Sequence, residues 1–429
     1  MLKLKKMTAV ILVGMFLCNL IAPSAIYGAL PDFAIVESNS DDVEVENKKY
    51  KTAESSIQTD ATPNFSFQSA SQILMEATTG EIIYANNENE KLLPASVTKV
   101  MTLLLIMEQI DSGALKYTDT ITCSGTASGM GGSQIWFQEG ETLTVDEALK
   151  CICVVSANDV SYAMAEHIGG SHENFVQMMN NKAKALGMEN TNFLNAHGID
   201  EEGHYTTAKD IAIMSKELIT KHPDIIKYTT IWMDSIRGGS FGLSNTNKLL
   251  KTYKGMTGLK TGSTSQALFN LSATAERDGL SLIAVVMKAP TSAIRNEEIT
   301  ILLNYGFSSY TSKKIASKDE IVGTLQINKH IGDNINLVLA NDEYLVSKKG
   351  EDKQYTKNIV YNENLKAPIT KDTVVGQLQF IDNEGKVLSK TDIIVKEDVA
   401  KSTLWEYITH VINIYTITGL KSIDKNVGI

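Results

Sequence analysis

The feature that most constrains the fold is a change of hydrophobic period along the chain. Leu268 to Ala275 and Leu280 to Lys288 are apolar, β-rich runs separated by Arg277-Asp278-Gly279. Two such runs around a short glycine-containing turn predict an antiparallel hairpin. Much earlier, Ile73-Leu74-Met75 and Ile82-Ile83-Tyr84 flank Thr78-Thr79-Gly80 and predict a second one. Between the hairpins the period is helical. Pro94 opens ASVTKVMTLLLIMEQID, which stops at Ser112-Gly113, and Thr144 with Glu147 forms a capping box for a helix running to about Cys153. Further helical patterns cover 159–168, 172–186 and 207–221, and Ile294 to Tyr305 returns to helix. Strands at both ends of a helical stretch predict an α/β domain whose sheet is assembled from distant segments.

The flanks of this domain differ in texture. Residues 1–29 carry Lys3, Lys5 and Lys6, an apolar run from Met7 to Leu17 and small residues near Ala25 to Ala29, the pattern of a secretory signal peptide. The run is short for a permanent span. Met15-Phe16-Leu17 ahead of Cys18 is not the small set a lipoprotein signal needs. Residues 30–68 are polar and acidic without sustained periodicity and read as a flexible linker. The α/β domain is expected over 69–311. Over 312–400 short strands with turn punctuation such as Asn383-Glu384-Gly385 predict a small all-β domain. In the tail, 401–429, Leu404, Trp405, Ile408, Val411, Ile412 and Tyr415 share one helical face. An amphipathic helix of this kind fits a membrane surface better than a face docked on its own domain, given the exported context.

Composition removes several function classes. A formal charge of −10 over 429 residues argues against nucleic acid, whose binders need a basic face to release counterions. Cys123, Cys151 and Cys153 remain beyond the leader, an odd number best read as buried apolar thiols. His167 and His172 flank Gly169-Gly170 without metal-ligand spacing, so no metal and no cofactor are expected.

Three short patterns carry the chemistry: Ser96-Val97-Thr98-Lys99, Ser156-Ala157-Asn158 and Lys260-Thr261-Gly262. Each alone is weak, and Ser422-Ile423-Asp424-Lys425 is a chance copy of the first. Their order and context give them weight. Ser96 and Lys99 lie three apart in the first turn of a helix, on one face, where free backbone N–H groups favour an oxyanion. Lys99 can act as a base only when neutral, a state favoured by burial and by a second cation, for which Lys260 is the candidate. Ser156-Ala157-Asn158 interrupts two helices and presents a hydroxyl suited to a proton relay and an amide suited to holding a peptide group. Lys260-Thr261-Gly262 places an ammonium and a hydroxyl on a strand edge, with Gly262 allowing close approach to an extended ligand.

This set resembles the D-alanyl-D-alanine carboxypeptidases of the low-molecular-weight penicillin-binding protein family. The resemblance runs from about Ser69 through the C-terminal helix and includes PASVTKVMT, MGGSQIWFQEGE, VSANDVSYAMAEHI, NAHGIDEEGHYTTAKDIA, GLKTGST and LLNYGF. It implies a transpeptidase/β-lactamase-like α/β (α+β) domain with an antiparallel five-stranded sheet and a helical subdomain, then a β-rich domain and a membrane-associating helix. It further implies Ser96 as acylated nucleophile, Lys99 as base, Ser156 as proton relay and Asn158 as peptide-orienting group. Lys260 would tune the site, Thr261 would help bind the terminal carboxylate, and the N–H groups of Ser96 and Ser263 would form the oxyanion hole. Arg295 would stand near the substrate carboxylate, and His197 with Asp200 matches the family's H-G-x-D loop. The implied partners are peptidoglycan stem pentapeptides, β-lactams as inhibitors and the membrane surface, with the chain outside the cytoplasm on the membrane's outer face or in the wall. Endopeptidase activity on the same fold stays open as an alternative. A β-lactamase fits less well, because Thr191 stands where class A enzymes need a glutamate ahead of Leu194-Asn195. A silent penicillin-binding protein is the third alternative, since Thr257 and Ala267-Leu268 depart from the family's usual residues around the third motif.

Overall fold

The computed structural model describes residue 63 and residues 65–327, 330, 334–362 and 365–413. The expected signal peptide lies outside the described residues, as does nearly all of the expected linker before residue 65. The last linker residues behave differently from their composition. Phe65 stacks on Phe67 and meets Tyr84 and Tyr305 edge-on, so these two phenylalanines belong to the folded domain.

The first hairpin joins β1 (Ser71–Glu76) to β2 (Ile82–Asn86), and a 3-10 turn over Ala95–Thr98 leads into α1 (Lys99–Asp111). Next come β3 (Thr120–Thr122), α2 (Gly125–Ser128), β4 (Thr142–Thr144) and α3 (Val145–Lys150), with β3 and β4 paired. The helices α4 (Asn158–Gly169), α5 (His172–Ala185), α6 (Ala208–Lys221) and α7 (Ile226–Thr229) follow. A small hairpin of β5 (Met233–Ile236) and β6 (Phe241–Ser244), then α8 (Leu249–Thr252), leads back to the main sheet. That sheet is completed by β7 (Met256–Thr264), β8 (Leu268–Arg277) and β9 (Leu280–Ala289), and α9 (Ser292–Ser309) ends the domain.

The sheet order is β2-β1-β9-β8-β7, antiparallel throughout, so β7 is an edge strand. The two-residue period of a strand divides β9 between two layers. Leu282, Ala284 and Val286 share a core with Ile299, Leu302 and Leu303 of α9, whereas Ile283, Val285 and Met287 join the core of the helical side. Helix α1 runs through that side with every residue from Lys99 to Met107 buried. A helix apolar nearly all round is an interior helix, and it carries one lysine into the core.

Local chemistry explains the boundaries. The Thr144 hydroxyl accepts from the Glu147 N–H while the Glu147 carboxylate accepts from the Thr144 N–H, the capping box expected for α3. The helix does not run regularly to Cys153. It widens into a π segment over Cys151–Val155 and stops at Ser156, which takes a left-handed φ of 64°. Positive φ in a residue with a Cβ is strained and is tolerated where the surroundings fix it. The three cysteines are free and buried.

The second domain contains β10 (Tyr310–Ala316), β11 (Ile321–Leu325), β12 (Ile335–Leu339), β13 (Glu343–Lys348), β14 (Thr356–Tyr361), β15 (Val374–Ile381) and β16 (Val387–Val395). An antiparallel sheet of order β11-β12-β16-β15-β14 encloses Leu337, Leu339, Leu378, Phe380, Ile393 and Val395, while β10 pairs with β13. A final helix over 404–413 has every described residue exposed, including Trp405 at 72% and Ile412 at 54%. Its apolar face is exposed, and Tyr415 lies outside the described residues.

Candidate active site

The site is built where the edge strand β7 meets the turn that opens α1. A Cβ placed on Gly262 would stand 2.8 Å from the Val97 nitrogen and 2.9 Å from both the Ser96 nitrogen and the Pro94 oxygen. Only glycine permits that approach. The missing side chain of Gly262 therefore admits the serine turn. Gly198 does the same from the other side, where a Cβ would collide with the Ala95 carbonyl.

Three elements deliver the motif residues to one place. Lys99 Nζ lies 3.0 Å from Ser96 Oγ, 2.5 Å from Asn158 Oδ1 and 2.6 Å from the His197 carbonyl oxygen. Lys99 is fully buried, and among the described residues no carboxylate pairs with it. Burial, followed by the charge of Lys260, holds the Lys99 amine well below the usual lysine range, against a weaker opposite pull from Asp159. A neutral amine has two N–H donors and one lone pair. The Asn158 and His197 carbonyls take the two donors, which leaves the lone pair for the Ser96 hydroxyl. The arrangement can therefore remove a proton from Ser96.

Lys260 is also buried, its amine donating to the Thr261 carbonyl at 3.0 Å. Burial lowers its pKa to about 7, Cys153 opposes that shift and Arg295 adds to it. Thr261 Oγ1 pairs with Thr246 Oγ1 at 2.7 Å, so a second hydroxyl joins the motif from outside it. Arg295 is placed behind β8, 3.4 Å from the Asn270 carbonyl, and acts on the cleft through charge.

Ser156 Oγ is buried with no hydrogen-bond partner, a hydroxyl held ready for a reacting group. Asn158 ties the lysine to the neighbouring loop. Its oxygen holds Lys99 and its Nδ2 donates to the Gly131 carbonyl at 2.7 Å, leaving one N–H for a substrate. Ser263 follows Gly262 on the exposed rim of β7. His197 contributes through its carbonyl, and its imidazole accepts from the Ile199 N–H; burial and the neighbouring Lys99 depress its pKa to about 3. Asp200 does not reach Ser96 or Lys99 by any hydrogen bond and faces a cavity beside the cleft.

Several contributors were not singled out from the sequence. Asp159 accepts the Ile135 and Phe137 N–H groups at 3.0 Å each, which fixes the loop that carries Gly131. Its position beside Asn158 was the available signal. His204 bonds Thr98 Oγ1 at 2.9 Å and accepts the Leu194 N–H, which supports the serine turn from below. Thr246 carried no local signal at all. Thr257, one of the unusual residues, donates to Thr274 within the sheet, and Leu268 takes a φ of 53° opposite Thr264.

A family model described as D-alanyl-D-alanine carboxypeptidase matches residues 56–291, and one described as the C-terminal domain of penicillin-binding protein 5 matches 310–401. The D-alanyl-D-alanine carboxypeptidase DacF of Bacillus subtilis (strain 168) is 42% identical over 345 residues, covering 80% of this chain and 88% of that protein. The chain belongs to the D-alanyl-D-alanine carboxypeptidase family. Solved relatives agree with the fold. Penicillin-binding protein 5 from Haemophilus influenzae superposes with a TM-score of 0.61 at 28% identity, over 79% of this chain and all of that one. Penicillin-binding protein D2 from Listeria monocytogenes, solved in its ampicillin-bound form, gives 0.53 at 29% identity over 57% of this chain and 100% of its own. A serine-type carboxypeptidase acting on D-alanyl-D-alanine is thus the activity that this fold and family carry.

Proposed function

We propose that the enzyme removes the terminal D-alanine of peptidoglycan stem pentapeptides through an acyl-enzyme on Ser96. The carrying observation is the buried Lys99 amine, 3.0 Å from Ser96 Oγ, with its two donors already taken by carbonyls. Lys99 takes the hydroxyl proton as Oγ attacks the penultimate D-Ala carbonyl. The oxyanion develops against the N–H groups of Ser96 and Ser263, and the close packing of Gly262, the neighbour of Ser263, on the Ser96 turn supports this reading. Ser156, the hydroxyl without a partner, passes a proton to the departing amine, and Lys260, Thr261 and Thr246 hold the terminal carboxylate. Water then enters by the reverse route and frees Ser96. β-Lactams, whose amide carbonyl mimics the same peptide bond, acylate the same serine; the ampicillin-bound relative supports this reading. Substitution Ser96→Ala is expected to abolish D-Ala release from a stem pentapeptide and labelling by fluorescent penicillin. Undiminished release would overturn the assignment.

The placement of the enzyme belongs to the same proposal. The leader directs export, and the exposed Leu404, Trp405, Ile408, Val411 and Ile412 face lies on the outer surface of the cytoplasmic membrane. Among the described residues no helix is long and apolar enough to cross a membrane. The chain without its leader should sediment with phosphatidylglycerol vesicles, and truncation after residue 400 should leave it in the supernatant.

A further inference from the structure

A loop outside the three motifs ties two walls of the cleft together. The segment Asn245-Thr246-Asn247 follows β6 and alternates buried, exposed and buried, so Thr246 alone is presented outward between two interior amides. The Thr246 N–H donates to the Val154 carbonyl at 3.2 Å, in the π segment that ends at Ser156. Asn247 Nδ2 donates across to the Gly258 carbonyl of β7 at 3.0 Å, and the Thr246 hydroxyl pairs with that of Thr261 on the same strand. One loop therefore spans from the element that ends at Ser156 to the strand that carries Lys260.

The loop is braced on its far side. The Asn247 N–H donates to Asn245 Oδ1 at 2.8 Å, and Asn245 Nδ2 donates to the Ile231 carbonyl at 2.8 Å. Asn247 and Asn245 are buried, at 2% and 7% exposure, where an amide that loses its partner is costly, so this arrangement of the loop is strongly preferred. The strand it reaches is an edge strand, whose outer backbone groups invite an incoming chain. Asn247 takes the Gly258 carbonyl of that strand, and the Thr229 hydroxyl takes the preceding carbonyl, of Thr257, at 2.7 Å. Side chains thus fill the start of β7 just short of the place where the Thr246 and Thr261 hydroxyls meet. An extended ligand that advances toward the start of the strand has to end at those two hydroxyls.

We propose that Asn247 is a positioning residue for recognition of the chain end: by fixing Thr246 against Thr261, it makes the site select a ligand that finishes in a free carboxylate. A hydroxyl already held in place loses little freedom when the carboxylate arrives. The proposal rests on the carboxypeptidase reading, which puts that carboxylate at Thr261. The test measures D-Ala release from Nα,Nε-diacetyl-L-Lys-D-Ala-D-Ala, and D-alaninamide release from its C-terminal amide, on the full chain without its leader. In Asn247→Ser the new hydroxyl can still accept from the Leu249 N–H, as Asn247 Oδ1 does, but is too short to reach Gly258. The acid-to-amide ratio of kcat/KM should fall about tenfold in this variant, the scale of one hydrogen bond to a charged group, with cleavage of the amide within about twofold of wild type. Thr246→Val should lower the ratio by a similar factor, and the double variant should fall no further than either single one, because Asn247 acts through Thr246. A wild type indifferent to amidation, acid and amide lowered equally in Asn247→Ser, or single effects that multiply in the double variant each overturn the proposal. If Asn247→Ser does not fold, Asn245→Ser, which cuts the brace, is scored by the same ratio and the same double-variant criterion. Benzylpenicillin and its methyl ester, run as competitors of fluorescent-penicillin labelling in the same proteins, read the preference for a carboxylate without any release of D-Ala. If the wild type cleaves neither peptide, the carboxypeptidase reading fails, and the acid-to-ester ratio still decides the role of Asn247.

Discussion

The two domains each hold a five-stranded antiparallel sheet, yet they treat interior charge in opposite ways. The sheet of order β11-β12-β16-β15-β14 encloses an apolar core, and beside it Glu343 bonds the Ser389 hydroxyl. Burial raises the pKa of that carboxyl, and the hydrogen bond that the Ser389 hydroxyl donates to it works against the shift. The catalytic domain buries Lys99, Lys260 and Arg295, and among the described residues none of them has a carboxylate partner. Burying ammonium groups beside one another is unfavourable, and its chemical product is a neutral lysine at a serine hydroxyl. The lesson is that similar sheets diverge by what they bury: one core serves stability alone, and the other sacrifices some stability to poise a base.

That contrast can be broken by substitution on either side. Lys99→Ala should slow acylation by fluorescent penicillin by about 10²–10⁴, the range expected for loss of a general base. Acylation at the wild-type rate would make the buried amine merely structural. Phe380→Ala, in the apolar core of the second domain, should cost about 3–5 kcal/mol of that domain's stability by leaving a cavity. Its check is denaturant unfolding of the second domain together with penicillin labelling, which should stay within about twofold at temperatures where the domain remains folded. A loss of labelling as large as that of Lys99→Ala would show that the two cores are not separable in function.

The smallest effect sharpens the role of the second lysine. With a pKa near 7, Lys260 loses its proton as pH rises past neutrality, and with it the charge proposed to hold the substrate carboxylate. Because kcat/KM reports the free enzyme, D-Ala release should decline above about pH 7, approaching tenfold per pH unit at the steepest. Lys99 must be neutral, so its own titration limits the acid side. Lys260→Arg, whose guanidinium holds its proton to higher pH, should move the alkaline decline upward. An alkaline limb that does not move would assign the titration to another group.

Much of the fold was legible locally. The hairpins of β1 with β2 and β8 with β9, the capping box at Thr144 and the break at Ser156 all follow from residues within a few positions of one another. The π segment at Cys151–Val155 was not, because a helix widens in response to what it packs against. Phe65 and Phe67 were likewise misplaced: polar neighbours hide two rings whose partners, Tyr84 and Tyr305, are distant in sequence. Among site residues, Ser96, Lys99, Ser156, Asn158 and Lys260 were named from short patterns. Thr246, Asp159 and His204 act through contacts that no local spacing encodes.

The sequence alone determined the order of the three motifs, the alternation of strand and helix periods, and hence the family and the sheet's composition from distant segments. Tertiary structure decided the rest: that Gly262 serves the serine turn, that Asn158 holds Lys99, and that Asp200 faces a cavity. The physical reason is reach. Propensity and patterning act over a few residues, whereas a pKa, a hydrogen-bond partner and a cavity are set by whatever the folded chain brings within a few ångströms.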